Sequence, residues 1–100
     1  MRLSRNPLLI QALSATIKAR RLELNLTQEA LAGQVDLDRP FITLIESGKK
    51  QPTVSVLWRL AGGLQMTVAE LATCVDERLG RLQNLPGTTS KTKESARVVK

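Results

Sequence analysis

Histidine and tyrosine do not occur in this 100-residue chain, cysteine occurs once, and Phe41 and Trp58 are its only aromatic residues. Without histidine there is no His-based catalytic triad, and without paired cysteines the common zinc and transition-metal sites have no ligands. A lone Cys74 cannot close an intramolecular disulfide, which fits a reducing compartment. Two aromatics are too few for a sheet surface on which RNA bases stack. No apolar run approaches the roughly 18 residues needed to span a bilayer, and the stretch from Met1 to Pro7 lacks the apolar core and cleavage site of a signal peptide. The expectation is a cytoplasmic, non-enzymatic protein with no cofactor. Its Ser, Thr, Lys and Glu residues fall in no nucleophile or phosphate-cradling motif.

What is present is charge of one sign and aliphatic bulk. Fifteen Lys and Arg stand against nine Asp and Glu, a formal charge of +6 that favours a polyanionic partner. The apolar share of 42% is mostly Leu, Ala, Val and Ile, which suits a helical core. At this length one domain is expected, without room for a separate effector-binding domain.

The pattern reads as five helices. Asn6-Pro7 opens the first, because Asn accepts from free first-turn N–H groups and proline there loses no useful donor. It runs to Glu23 or Leu24, with Leu9, Leu13, Ile17 and Leu24 expected on its inner face, Ala12 and Thr16 beside them, and Lys18 and Arg20 toward water. Thr27 caps a second helix, Gln28 to Val35, and Leu26 with Leu31 forms a hydrophobic staple that sets its entry angle. Asp38 is expected to cap a third, Arg39 to about Ser47, stapled by Leu37 and Ile42 and closed by a left-handed Gly48. Pro40 is tolerated in the first turn. Lys49 to Pro52 reads as an exposed basic loop.

Thr53 caps a fourth helix to about Leu64, with Val54, Leu57, Leu60, Ala61 and Leu64 inward and Trp58 at the core edge. Its Gly62-Gly63 pair weakens the last turn by about 1 kcal/mol per glycine unless close packing needs small residues. A capping box, Thr67-Val68-Ala69-Glu70, opens a fifth helix to about Leu82, stapled by Met66 and Leu71. Residues 6–84 form the expected folded domain. Residues 85–100 lose periodicity, become rich in Gly, Thr, Ser and Lys, and read as a flexible basic tail.

Helices two and three, joined by the short turn Asp36 to Asp38, have the lengths a helix-turn-helix requires. The fuller string is more specific: Leu26-Thr27-Gln28-Glu29-Ala30-Leu31-Ala32, Leu37-Asp38-Arg39, Ile42, Ile45-Glu46-Ser47-Gly48-Lys49, Pro52, Leu60-Ala61, Leu64 and Thr67 to Leu71. This string resembles the lambda-repressor-like, Cro/C1-type (XRE) family of helix-turn-helix transcription regulators, over residues 9–74. The resemblance implies an all-α, five-helix domain whose third helix enters the major groove of double-stranded DNA while the second lies across the backbone. Two subunits would read half-sites about one helical turn apart.

The same resemblance assigns roles. Gln28 stands where a family glutamine faces a phosphate, unless it is merely a solvated first-turn residue. Arg39, Pro40 and Leu44 fall on base-reading positions, with Arg39 able to fork onto guanine or, alternatively, to pair with Asp36 or Asp38. Phe41 is expected to turn its ring to DNA, since Ile42 and Ile45 already define the inner face; a core or dimer contact is its alternative. Thr43 is placed for a phosphate or base edge, or is a plain surface threonine. Lys49 and Lys50 lie in the loop that abuts the backbone.

Arg21 and Glu46 align with a family pair that bridges helix one to the end of helix three, and Leu71, Val75, Leu79 and Leu82 are the expected dimer patch, unless they only close the monomer core. Asp36 replaces a common turn glycine, and Pro40 and Leu44 cannot donate hydrogen bonds, which shifts readout toward apolar contact and DNA shape. The implied activity is that of a homodimeric repressor or autoregulator on a two-fold symmetric operator. The other readings are the antitoxin of a toxin–antitoxin pair and a protein-interaction module that kept the fold.

Overall fold

A computed structural model describes residues 6–83 as five α-helices and no strand among them: α1 (Pro7–Glu23), α2 (Gln28–Val35), α3 (Arg39–Glu46), α4 (Val54–Gly63) and α5 (Val68–Gln83). Both the order and the bounds follow the periodicity closely. The expected tail, 85–100, lies outside the described residues.

Four of the five starts are set by a short polar side chain. Asn6 accepts from the Leu9 N–H at 3.0 Å, Thr27 from Ala30 at 2.9 Å and Thr53 from Val56 at 3.2 Å. Thr67 and Glu70 exchange reciprocal bonds of 2.9 and 3.0 Å, closing the capping box. Asp38 departs from expectation. It has extended backbone at the N-cap but its carboxylate caps nothing. The second helical position is Pro40, which has no N–H, and the Phe41 N–H at the third is already given to the Asp38 carbonyl at 3.0 Å.

The ends share one device. Asn25, Asp36, Gly48 and Gln65 all have positive φ, between 58° and 78°. After each, the chain folds back so that Leu26, Leu37, Lys49 and Met66 donate to the carbonyls of Arg21, Ala32, Leu44 and Ala61, five positions earlier, at 2.9–3.0 Å. These six-to-one bonds satisfy carbonyls a helix end would otherwise orphan. Three of the four left-handed positions are not glycine, so an end can be read from Asn, Asp or Gln only through the apolar residue that follows it.

Packing forms two adjoining clusters. Ile17, Leu31, Val35, Ile42, Ile45, Leu60 and Leu64 build the centre, on which α2, α3 and α4 lean. Ala12, Ala61, Leu71 and Val75 form the second, between α1, α4 and α5. Because α1 is sandwiched, it buries two faces. Ile10, Ser14, Ile17 and Arg21 recur toward α3, while Ala12 and Thr16 lie toward α5. The expected single stripe is therefore corrected: Leu9 is 38% exposed and Ile10 takes the buried place. On α4 the expectation for Val54 also fails. It is 69% exposed, and Val56 packs against the core instead. Trp58 stands out from the surface at 60% exposed rather than forming a core edge.

Gly63 carries the close approach of α4 to α2, since a Cβ there would fall on Val35 Cγ1, whereas Gly62 faces open space. No helix among the described residues is long and apolar enough to cross a membrane.

Candidate nucleic-acid interface

The second half of the helix-turn-helix, α3, is eight residues long, too short to persist without tertiary support. Its support comes from two sides. Ile42 and Ile45 are 0% and 1% exposed and pin the inner face. Polar bonds then fix the helix against α1 and α2. Arg21 on α1 forks onto Glu46, Nε to Oε2 at 2.6 Å and Nη2 to Oε1 at 2.9 Å, while its Nη1 donates to the Leu26 carbonyl at 2.7 Å. Both side chains of the pair are under one-tenth exposed. The Arg21 pKa is raised, chiefly by the hydrogen bond with Glu46 and further by its charge, against the opposing effect of burial.

Gln28 extends this bridge. Its Nε2 donates to Glu46 Oε1 at 3.0 Å, and its Oε1 accepts from the Thr43 hydroxyl at 2.7 Å. The Thr43 oxygen also lies 3.2 Å from the Arg39 carbonyl, but a hydroxyl has a single hydrogen and the shorter contact claims it. A chain of bonds thus runs Arg21–Glu46–Gln28–Thr43 and joins three helices. At the same C-terminal end of α3, Ser14 donates to the Ile45 carbonyl at 2.8 Å. The expected Gln28 phosphate contact and Thr43 base contact meet this fact: the two side chains are bonded to each other, with one Gln28 N–H and the Thr43 lone pairs still unassigned. Periodicity and propensity contain no signal for such pairing, because it depends on how α2 crosses α3.

The outward face of α3 presents Arg39, Pro40, Thr43 and Leu44 together, all exposed. Arg39 forms no ion pair with Asp36 or Asp38, and the only salt bridges among the described residues are Arg20–Glu23 and Arg21–Glu46. Its guanidinium is free to fork onto a ligand. Phe41 does not join this row; it is half-buried and packs against the central cluster, because that cluster reaches the flank of α3 beside Ile42. Lys49 and Lys50 follow α3 as exposed, unpaired cations, their backbone N–H groups tied to the Leu44 carbonyl at 2.9 and 3.2 Å.

Two arginines that the sequence did not single out for this task hold the turns. Arg59 on α4 donates to the carbonyls of Val35 and Asp36 at 3.2 and 3.1 Å, which fixes the turn between α2 and α3. Arg20, expected in water, donates to Leu64 O at 2.9 Å and Gln65 O at 3.4 Å and secures the junction of α4 with α5.

The expected dimer patch is corrected in part. Leu71 and Val75 are 1% and 7% exposed and belong to the monomer core, and Leu79 and Leu82 are half-buried against it. Helix α5 spends its apolar stripe on α1, the helix with which it packs most extensively.

A family model for helix-turn-helix proteins (HTH_3) matches residues 17–71, from the middle of α1 to the first turn of α5. The chain belongs to the Cro/C1-type helix-turn-helix family. Among relatives of this Cro/C1-type chain, control protein C.MunI of a Mycoplasma species is 35% identical over 60% of this chain and 81% of its own length. An uncharacterised HTH-type transcriptional regulator of Sinorhizobium fredii, y4dJ, is also 35% identical, over 57% of this chain and 74% of its own. Of solved structures, the restriction-modification controller protein C.Esp1396I, as a tetramer with its natural 35 base-pair operator, superposes with a TM-score of 0.68 at 31% identity, covering 71% of this chain and 93% of its own. The clp gene regulator ClgR of C. glutamicum shares the fold at 22% identity and a TM-score of 0.68, over 76% of this chain and 97% of its own.

Proposed function

We propose that the protein is a sequence-specific DNA-binding regulator of transcription that acts as a homodimer on a two-fold symmetric operator. The observation that carries this reading is the exposed face of α3, with Arg39 unpaired, on a helix fixed by its neighbours, in a chain of the Cro/C1-type family. With α3 in the major groove, Arg39 offers a planar fork to guanine O6 and N7, a pairing that discriminates by about 1–3 kcal/mol. Pro40 and Leu44 give apolar contact to thymine methyl groups. Lys49 and Lys50 neutralise phosphates beside the groove, each adding to the salt dependence of binding. The Gln28–Thr43 bond ties α3 to α2 and holds it at its angle. A phosphate at the start of α2 would meet the backbone N–H groups of Gln28 and Glu29 rather than the Gln28 amide.

Two controller proteins among the relatives favour a finer reading, a cytoplasmic controller that regulates a restriction–modification system. The test is selection of bound sequences from a random duplex library, followed by salt titration of the best. An enriched symmetric motif with half-sites about one turn, ~34–36 Å, apart and a steep salt slope supports the reading. Unselective binding at all salt concentrations refutes it.

A further inference from the structure

Leu44 is one of the few large apolar side chains left in water, 38% exposed, on the outward face of α3 with Pro40 one turn before it. Neither residue belongs to either core cluster. Ile42 and Ile45 carry the inner face, so an apolar pair on the opposite side needs an apolar group to meet. Both residues are held where they stand. The Pro40 ring fixes its own φ, and the Leu44 carbonyl accepts from the Ser47 hydroxyl at 3.1 Å and from the N–H groups of Lys49 and Lys50 at 2.9 and 3.2 Å. The charged neighbours indicate what kind of molecule comes to them. Arg39, Lys49 and Lys50 are exposed and form no ion pair, so the apolar pair sits inside a cationic rim that favours a polyanion over an apolar protein face.

On the base edges of the major groove the apolar group is the C5-methyl of a pyrimidine, present in thymine, absent from ordinary cytosine and added to it by methylation. We propose that Leu44 and Pro40 read this methyl group, so that the protein binds an operator methylated at cytosine C5 within their reach more tightly than the same operator unmethylated. The inference rests on the operator reading above and adds that affinity depends on a covalent mark as well as on base identity. Neither side chain donates or accepts a hydrogen bond, so the pair cannot tell the amino edge of cytosine from the carbonyl edge of thymine. The methyl is the one feature of a pyrimidine that it registers. Residues four apart on a helix have Cβ atoms about 5–6 Å apart, against a rise of about 3.4 Å per base pair, so the pair spans two neighbouring steps. Enclosing one methyl corresponds to about fourfold in affinity, ~0.8 kcal/mol at ~1.4 kcal/mol per tenfold. A two-fold operator presents the group in both half-sites, so methylation of both is worth about fifteenfold.

Equilibrium binding of the full chain to its library-selected duplex, resynthesised with one pyrimidine altered at a time, tests this. Deoxyuridine in place of thymidine removes the methyl and nothing else, and 5-methylcytosine in place of cytosine adds it. The expected result is one or two adjacent positions in each half-site where the methylated base binds about fourfold more tightly. Where the selected base there is thymine, a C·G pair at the same position should gain the same factor on methylation. Leu44→Ala should bring the methyl ratio close to one with the thermal midpoint nearly unchanged, because the side chain is exposed. Leu44→Met, still apolar, should keep the ratio, and Lys50→Ala should weaken methylated and unmethylated duplexes alike. A ratio below about 1.5 at every pyrimidine, tighter binding on loss of the methyl, or a full ratio in Leu44→Ala would overturn the proposal. So would a thymine effect that methylated cytosine at the same position does not reproduce. With a symmetric motif enriched, each of these outcomes removes the methyl reader and leaves the operator reading standing; a library that enriches no sequence removes both.

Discussion

Glu46→Ala leaves the Arg21 guanidinium enclosed, its side chain 8% exposed, with both of its carboxylate bonds gone. Removing one partner of a buried pair costs about 3–5 kcal/mol, since the remaining charge has neither water nor counter-charge. Gln28 Nε2 loses its acceptor at the same stroke. A domain of this size is stable by about 5–10 kcal/mol, so roughly half of its stability is at stake. At a urea slope of about 1.5 kcal/mol/M, the unfolding midpoint read by far-UV circular dichroism should fall by about 2–3 M. The control is Arg21→Met combined with Glu46→Leu, which removes both charges and fills the space. It should recover most of the loss, leaving a deficit of about 1–2 kcal/mol from the unserved Gln28 amide and Leu26 carbonyl. A single variant within about 1 kcal/mol of the parent, or a double as weak as the single, would refute the reasoning. The bridge raises the Arg21 pKa, so the stability it contributes is present below the ordinary arginine range and fades only at extreme alkalinity. No alkaline loss from this pair is expected between pH 7 and about 10.

Two neighbouring glycines should respond in opposite directions. Gly62→Ala adds a methyl group in open space and gains up to about 1 kcal/mol of helix propensity, while Gly63→Ala drives Cβ into Val35 and costs about 1–3 kcal/mol, both read as shifts of the thermal midpoint. On a selected operator, Arg39→Ala should lose about 1–3 kcal/mol of affinity and relax one base position, whereas Lys50→Ala should weaken every sequence about evenly and lower the salt slope by about one. Equal effects of the two on all sequences would contradict the roles given to them.

Helix order, caps and the two-helix motif were legible because they are local. An N-cap needs one side chain and one N–H three residues away, and a staple needs two apolar residues five apart. Asp38 shows where local reading stops: the same Pro40 that permits the helix start removes the N–H that a cap would serve. Burial was legible where a helix turns one stripe inward, as Leu31, Ala32 and Val35 do on α2. It failed on α1, which buries two faces, and on α5, whose stripe is exhausted by α1. The charge surplus also misdirects. Residues 6–83 hold nine Lys and Arg against eight Asp and Glu, so the net +6 of the whole chain lies almost entirely in Arg2, Arg5, Lys91, Lys93, Arg97 and Lys100. Arg20, Arg21 and Arg59 are spent on carboxylates and carbonyls, while the unpaired Arg39, Lys49 and Lys50 cluster on and just after α3, apart from the likewise unpaired Lys18 on α1 and Arg81 on α5.

That division explains how so short a reading helix can discriminate. Only one side chain on its outward face, Arg39, carries a donor fork, so each degree of uncertainty in the pose of α3 would blur the single strong base contact proposed for it. The helix is fixed along its length by the Gln28–Thr43 bond near the middle and by Ser14 and Arg21 at the end. Arg59 holds the turn that precedes it. A site preorganised in this way loses little further freedom on binding, which favours affinity from few contacts. The same lock fits with Pro40 beside Arg39: with the pose set by the neighbouring helices, a rigid apolar residue in the first turn costs no helix hydrogen bond and adds shape to the face proposed to meet the bases.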